Sequence, residues 1–161
     1  MKSQITDQLN NCRLDDKYKY YWASSYCNFN PEILDSDWMV QQFASVNEEK
    51  EVTGYFEFRL DRGMLTIDSI NLISFTKGNN ITLSRGFLKK LDELFKYGFR
   101  KATFTVLIGN PAEKLYDNLV KINPTARVVG IHKYHIKIPT GEVCDQKIYE
   151  FLNPEIYKEN N

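Results

Sequence analysis

The chain has 161 residues and a mass of 18.9 kDa, enough for one domain that buries roughly 70% of the surface its unfolded chain exposes. Lys plus Arg and Asp plus Glu number 21 each, so the formal net charge is zero and no global field draws the protein to nucleic acid or to an anionic membrane. Neither partner is expected, and any anion site must be local. Cys12, Cys27 and Cys144 are odd in number and form no CxxC pair, which argues against a disulfide framework or a zinc knuckle and for a reducing, cytoplasmic setting. No apolar run approaches the ~20 residues needed to span a bilayer, and the first residues lack the apolar core of a signal peptide.

Periodicity supplies the elements. Residues 1–42 read as helix and loop, with "NPEILDSDWMVQQF" as the best helix: Pro31 suits a first turn, Glu32 and Asp35 suit its positive end, and Ile33, Leu34, Trp38 and Met39 share a face. From residue 43 the pattern alternates, and "FASV", "VTGYFEFRL" and "MLTIDSINLISF" form a three-stranded meander joined by polar turns. In the third strand the apolar phase slips between Ile67 and Ile70, which predicts a bulge at Asp68 and Ser69. After the polar loop "TKGNNIT", Leu83, Phe87, Leu88, Leu91, Leu94 and Phe95 mark a helix that Gly98 stops. "ATFTVLI" is then a buried strand and "PAEKLYDNLVKI" a helix with Pro111 in its first turn. "ARVVGIHKYHIKI", "PTG" and "EVCDQKIYEFL" close the chain as a hairpin. The expectation is a single domain over 1–161: a helical segment (1–42), a core of sheet and helices (43–152) and a tail (153–161).

The order of elements, with "INLISFTKGNNITLSRGFLKKLDELFKYG", "KATFTV" and "NPAEKLY", resembles the GNAT superfamily of N-acetyltransferases over residues 43–152. The resemblance implies an α+β, three-layer fold with a mixed, mostly antiparallel sheet flanked by helices. It also implies acetyl-CoA (coenzyme A) as acyl donor and a small-molecule or peptide amine as acceptor. "NPAEKLY" resembles the family's asparagine, alanine, leucine-tyrosine signature, with Asn110 one residue nearer to Tyr116 than the family spacing.

The pyrophosphate loop is degenerate by comparison with the family, whose two glycines let backbone N–H groups approach a diphosphate at a helix start. In the register set by the helix stripe, Asn79 takes the first position and Thr82 and Ser84 replace the glycines; two residues earlier, Lys77, Asn80 and Thr82 do so. Lys77 and Arg85 add local positive charge, and the helix dipole adds about 0.3–1 kcal/mol for an anion there. The competing reading is a solvated loop with Thr82 or Ser84 as the helix cap.

The family chemistry is direct attack of an amine on a thioester, assisted mainly by juxtaposing the reactants. By resemblance Tyr116 is the acid that protonates the departing thiolate; its alternative is an ordinary packed aromatic. Asn110 either contacts the pantetheine arm or caps a helix. Asp68, beside the expected bulge, is the candidate base and Glu57 is the other strand carboxylate; alternation makes both outward-facing charges by default. His132 and His135, three apart on a strand, fall on opposite faces and make no metal pair. Tyr20, Tyr21, Trp22 and Tyr26 precede the meander, where the family builds its acceptor wall. No GxSxG, Walker, HExxH or Cys/His pattern supports a hydrolase, nucleotidase or metalloenzyme. The alternative to an enzyme is a fold of this shape without turnover, serving as a binding module, and the edge of the terminal hairpin offers a route to a homodimer.

Overall fold

The computed structural model describes residues 2–12, 14–21, 33–34, 37–76 and 80–159. Its elements are α1 (Lys2–Cys12), a 3-10 segment (Asp16–Tyr21), β1 (Val40–Val46), β2 (Val52–Asp61), β3 (Thr66–Ser74), α2 (Ile81–Lys96), β4 (Lys101–Leu107), α3 (Glu113–Ile122), β5 (Ala126–Lys137), β6 (Val143–Leu152) and α4 (Pro154–Glu159). The six strands form one sheet in the order β1-β2-β3-β4-β6-β5. Every neighbouring pair is antiparallel except β3 with β4.

Alternation on β2 explains the three layers. Phe56, Phe58 and Leu60 point to the face covered by α2 and α3, where they meet Leu83, Phe87, Leu91 and Leu94 of α2 and Tyr116 of α3 in the main core. Tyr55 points to the other face and packs with Ile73 against Ile5, Leu9 and Cys12 of α1 and Tyr18 of the 3-10 segment. Gly54 is needed because α2 starts almost on the sheet: a Cβ there would lie 2.8 Å from Leu83 Cδ2.

The expected bulge is present. β2 and β3 are in register from Gly54↔Ser74 to Arg59↔Ser69, and the next pair is Leu60↔Ile67, so Asp68 is the extra residue. Immediately beyond it the parallel pair opens, since β3 and β4 are matched only at Thr66↔Lys101 and Ile67↔Ala102.

Three expectations are corrected. The helix proposed over 30–43 is not formed at its described positions: residues 33–34 and 37–39 are not helical, and β1 starts at Val40 rather than residue 43. Asp37 Oδ1 accepts hydrogen bonds from the N–H groups of both Met39 and Val40, turning the chain into a strand that pairs along β2. Trp38 is 72% exposed and lies under the Arg62 guanidinium instead of in a core. The tail contains α4, anchored by Asn153, which is 2% exposed, donates from Nδ2 to the carbonyls of Phe95 and Phe99, and accepts the Glu155 N–H. His132 and His135 do not diverge: a register shift between His132 and Ile136, with Tyr134 at φ 49°, brings their rings to 4.8 Å.

Candidate active site

The opening between β3 and β4 is the candidate site. The Phe75 N–H donates to the Thr53 carbonyl, so in this antiparallel pair the odd-numbered residues Ile73 and Asn71 bond to β2. The carbonyls of Leu72 and Ser74 therefore face the gap toward β4. They are satisfied by the 3-10 segment: the Tyr18 hydroxyl donates to Ser74 O at 2.8 Å and the Tyr21 hydroxyl to Leu72 O at 3.2 Å. Sequence reasoning placed Tyr20 and Tyr21 near an acceptor wall but had no signal for this edge, because the contact spans more than fifty residues and follows no local period.

Across the gap stands Tyr116, on the first turn of α3. Its ring packs against Phe104 of β4 and Tyr149 of β6, with centroids 4.7 and 5.7 Å away. The residue is 4% exposed, yet among the described residues its hydroxyl makes no hydrogen bond. Burial, then the neighbouring phenols of Tyr21 and Tyr149, push its pKa well above the ordinary tyrosine value, which keeps it a proton donor. Tyr21 is pushed up to about 12, chiefly by burial, while the Asn110 side chain draws it down.

Asn110 forms the turn that leads into α3, whose N-cap is Ala112: the Asn110 Oδ1 accepts the Ala112 N–H at 3.0 Å and its carbonyl accepts the Glu113 N–H. Gly109, at φ 95°, makes the turn out of β4, and a Cβ there would sit 2.9 Å from the Tyr20 hydroxyl.

At the end of β3 the chain enters α2. Lys77 and Asn79 lie outside the described residues. Asn80, rather than Thr82 or Ser84, is the N-cap: its Oδ1 accepts the Leu83 N–H at 2.9 Å and its Nδ2 donates to Thr53 O, tying the helix start to β2. Ser84 Oγ donates back to the Asn80 carbonyl. Thr82 and Arg85 are exposed on the first turn, and the N–H groups of Ile81 and Thr82 are beyond the reach of any helix carbonyl. This end can receive an anion through two N–H groups, the helix dipole and one guanidinium.

The two strand carboxylates occupy opposite environments. Asp68 is exposed next to the last matched pair of β3 and β4 and accepts from Thr66 Oγ1 at 2.5 Å; the cavity of about 650 Å³ that it lines with Asp61, Arg100, Lys101, Leu152 and Tyr157 lies at the paired end of the two strands. Glu57 is 8% exposed and accepts from Tyr55, Gln42 and Asn71 at 2.5, 3.2 and 2.7 Å. Outward alternation thus holds for Asp68 and fails for Glu57, because α1 and its neighbours cover that face of β2.

No protein-family model matches the chain, and no curated protein matches it by sequence. Solved structures do resemble it. The dodecameric spermidine N-acetyltransferase of Vibrio cholerae aligns with a TM-score of 0.61 at 18% identity, over 78% of this chain and 71% of that one. The same enzyme in complex with manganese ions aligns at 0.60, 18% identity, 78% and 72%. A GCN5-related N-acetyltransferase from Kribbella flavida aligns at 0.59, 19% identity, 74% and 71%. At these identities the likeness is one of architecture, and the chain has the mixed, mostly antiparallel sheet flanked by helices that these N-acetyltransferases share.

Proposed function

We propose that the protein is an acyl-CoA-dependent N-acyltransferase that moves an acetyl group from acetyl-CoA to an amine. The observation that carries this reading is the Tyr116 hydroxyl, held by packed rings, without a hydrogen-bond partner among the described residues, beside a parallel strand pair that opens after two matched residues. The edge of β3 that does not pair with β4, where side-chain hydroxyls rather than a strand hold the Leu72 and Ser74 carbonyls, suits the extended, amide-bearing arm of coenzyme A. The N-terminus of α2, with Thr82, Ser84 and Arg85, suits its diphosphate, while Asn80 shapes that end by capping it. The likeness to N-acetyltransferases supports the same chemistry.

In this mechanism the amine nitrogen bonds to the thioester carbonyl carbon, the C–S bond breaks, and Tyr116 gives its proton to the sulfur. The amine's own proton passes to a base, for which Asp68 is the candidate at the vertex of the opening. Its exposure allows it to act directly or through one water. Juxtaposition of the two reactants contributes most, about 7–11 kcal/mol in well-oriented cases.

Calorimetric titration with acetyl-CoA tests the reading. Micromolar binding that Arg85→Glu weakens about tenfold or more is expected. No heat at millimolar ligand would leave the fold as a binding module without turnover. Because similar structures include spermidine N-acetyltransferases, spermidine is the first acceptor to assay.

A further inference from the structure

The 3-10 segment lies where the acyl donor must enter. Its hydroxyls occupy two β3 carbonyls that face the gap, Ser74 and Leu72, and Lys17 Nζ donates to the next carbonyl along, Thr76 O, at 3.1 Å. On the far side the Tyr20 ring packs against the cluster of Leu107, Ile136, Ile138 and Cys144, and its hydroxyl lies over Gly109. One six-residue segment therefore bridges the mouth of the opening from β3 to the β4–α3 turn. The Tyr18 ring anchors the segment in the core on the α1 side, whereas its attachments across the gap are of a kind that exchanges readily: hydroxyl and ammonium groups on main-chain carbonyls, and one ion pair, Lys19 with Glu142, at 3.7 Å. A carbonyl given up by a tyrosine can accept the N–H of an incoming amide, so the exchange leaves no β3 acceptor unsatisfied.

We propose that residues 16–21 form an intramolecular strap that occupies the donor groove of the free protein and is displaced from the β3 edge when acyl-CoA binds. The proposal rests on the acyltransferase reading, since it is the donor arm that competes for Leu72 and Ser74. In the free chain the strap shields the Tyr116 hydroxyl from bulk water and lowers the apparent donor affinity by the fraction of molecules in which it is closed.

The test pairs titration calorimetry with hydrogen exchange. Tyr18→Phe with Tyr21→Phe removes both hydroxyls and keeps both rings, and Lys17→Ala is a milder second variant should the double one fold poorly. Acetyl-CoA is expected to bind the double variant about tenfold more tightly than the parent and Lys17→Ala more tightly by a smaller factor. Amide exchange across 16–21 in the parent is expected to rise on adding acetyl-CoA. Equal affinities in parent and variants, or exchange in 16–21 that stays constant or falls on binding, overturns the strap and leaves the acyltransferase reading standing. Absence of binding to every folded variant and to the parent overturns both.

Discussion

The rings of Tyr116 and Phe104 meet with centroids 4.7 Å apart, so the helix side chain that carries the unpartnered hydroxyl is fixed to β4, the strand that diverges from β3. Among the described residues, ring packing rather than hydrogen bonding positions the phenol. Tyr116→Phe should therefore leave stability within about 0.5 kcal/mol of the parent, since no bond is lost. Under the proposed chemistry it should lower turnover about 100-fold or more while acetyl-CoA affinity stays unchanged. Steady-state rates, calorimetric titration and chemical denaturation check the three parts. Unchanged turnover would remove Tyr116 from the mechanism.

Asp68 and Glu57 can be separated by the same logic. Glu57 is buried with its oxygens engaged by Tyr55, Gln42 and Asn71, whereas Asp68 has one oxygen on Thr66 and faces a cavity. Asp68→Asn is expected to lower turnover about 100-fold and leave the melting temperature nearly unchanged. Glu57→Gln is expected to cost about 1–3 kcal/mol of stability, because an amide nitrogen would face donors that need an acceptor. Turnover by Asp68→Asn equal to the parent's would exclude it as the base.

Local period and turn chemistry made most of the core legible. Phe87, Leu91 and Leu94 recur at helical spacing, and the phase slip from Ile67 to Ile70 marks the bulge at Asp68. What could not be read depends on partners remote in sequence. Val40 and Phe43 sit in a stretch whose helical spacing is genuine, yet pairing with Arg59 and Phe56 of β2 overrides it. Asn153 reads as tail until its bonds to Phe95 and Phe99 are seen. Tyr116 was nominated by resemblance and placed beside the opening by packing, whereas the roles of Tyr18 and Tyr21 on the β3 edge follow only from the fold.

Acid stability should depend on Glu150. The residue is 5% exposed, and its oxygens meet Lys101 Nζ at 2.8 Å and Arg127 Nη2 at 2.6 Å. Burial raises its pKa, but the two cations outweigh burial and hold the carboxyl below the ordinary glutamate value. A pKa lower in the folded than in the unfolded state contributes stability that is complete above the unfolded value, about 4.3, and is lost as pH falls through the folded one. The melting temperature should therefore fall below about pH 4, and Glu150→Gln should flatten that limb while lowering stability at neutral pH. Calorimetric scans from pH 2 to 7 on both proteins decide this, and parallel acid limbs would show that other carboxylates dominate.

Gly54 lets the start of α2, the end proposed to receive the diphosphate, approach the sheet. An added methyl would stand 2.8 and 3.0 Å from the two Leu83 methyls and 3.1 Å from the Ile73 carbonyl. Leu83 is 1% exposed and its N–H is held by Asn80, so the leucine cannot retreat without disturbing the cap. Gly54→Ala should cost about 1–3 kcal/mol through overpacking, measured as a lower denaturation midpoint at constant slope. Leu83→Ala alone should cost about 2–5 kcal/mol through the cavity it leaves. In the double variant the new methyl partly fills that cavity, so the combined loss should be smaller than the sum by about 1 kcal/mol. Strict additivity would mean that the α2 start shifts to accommodate the alanine, and the contact between Gly54 and Leu83 would then not fix the helix on the sheet.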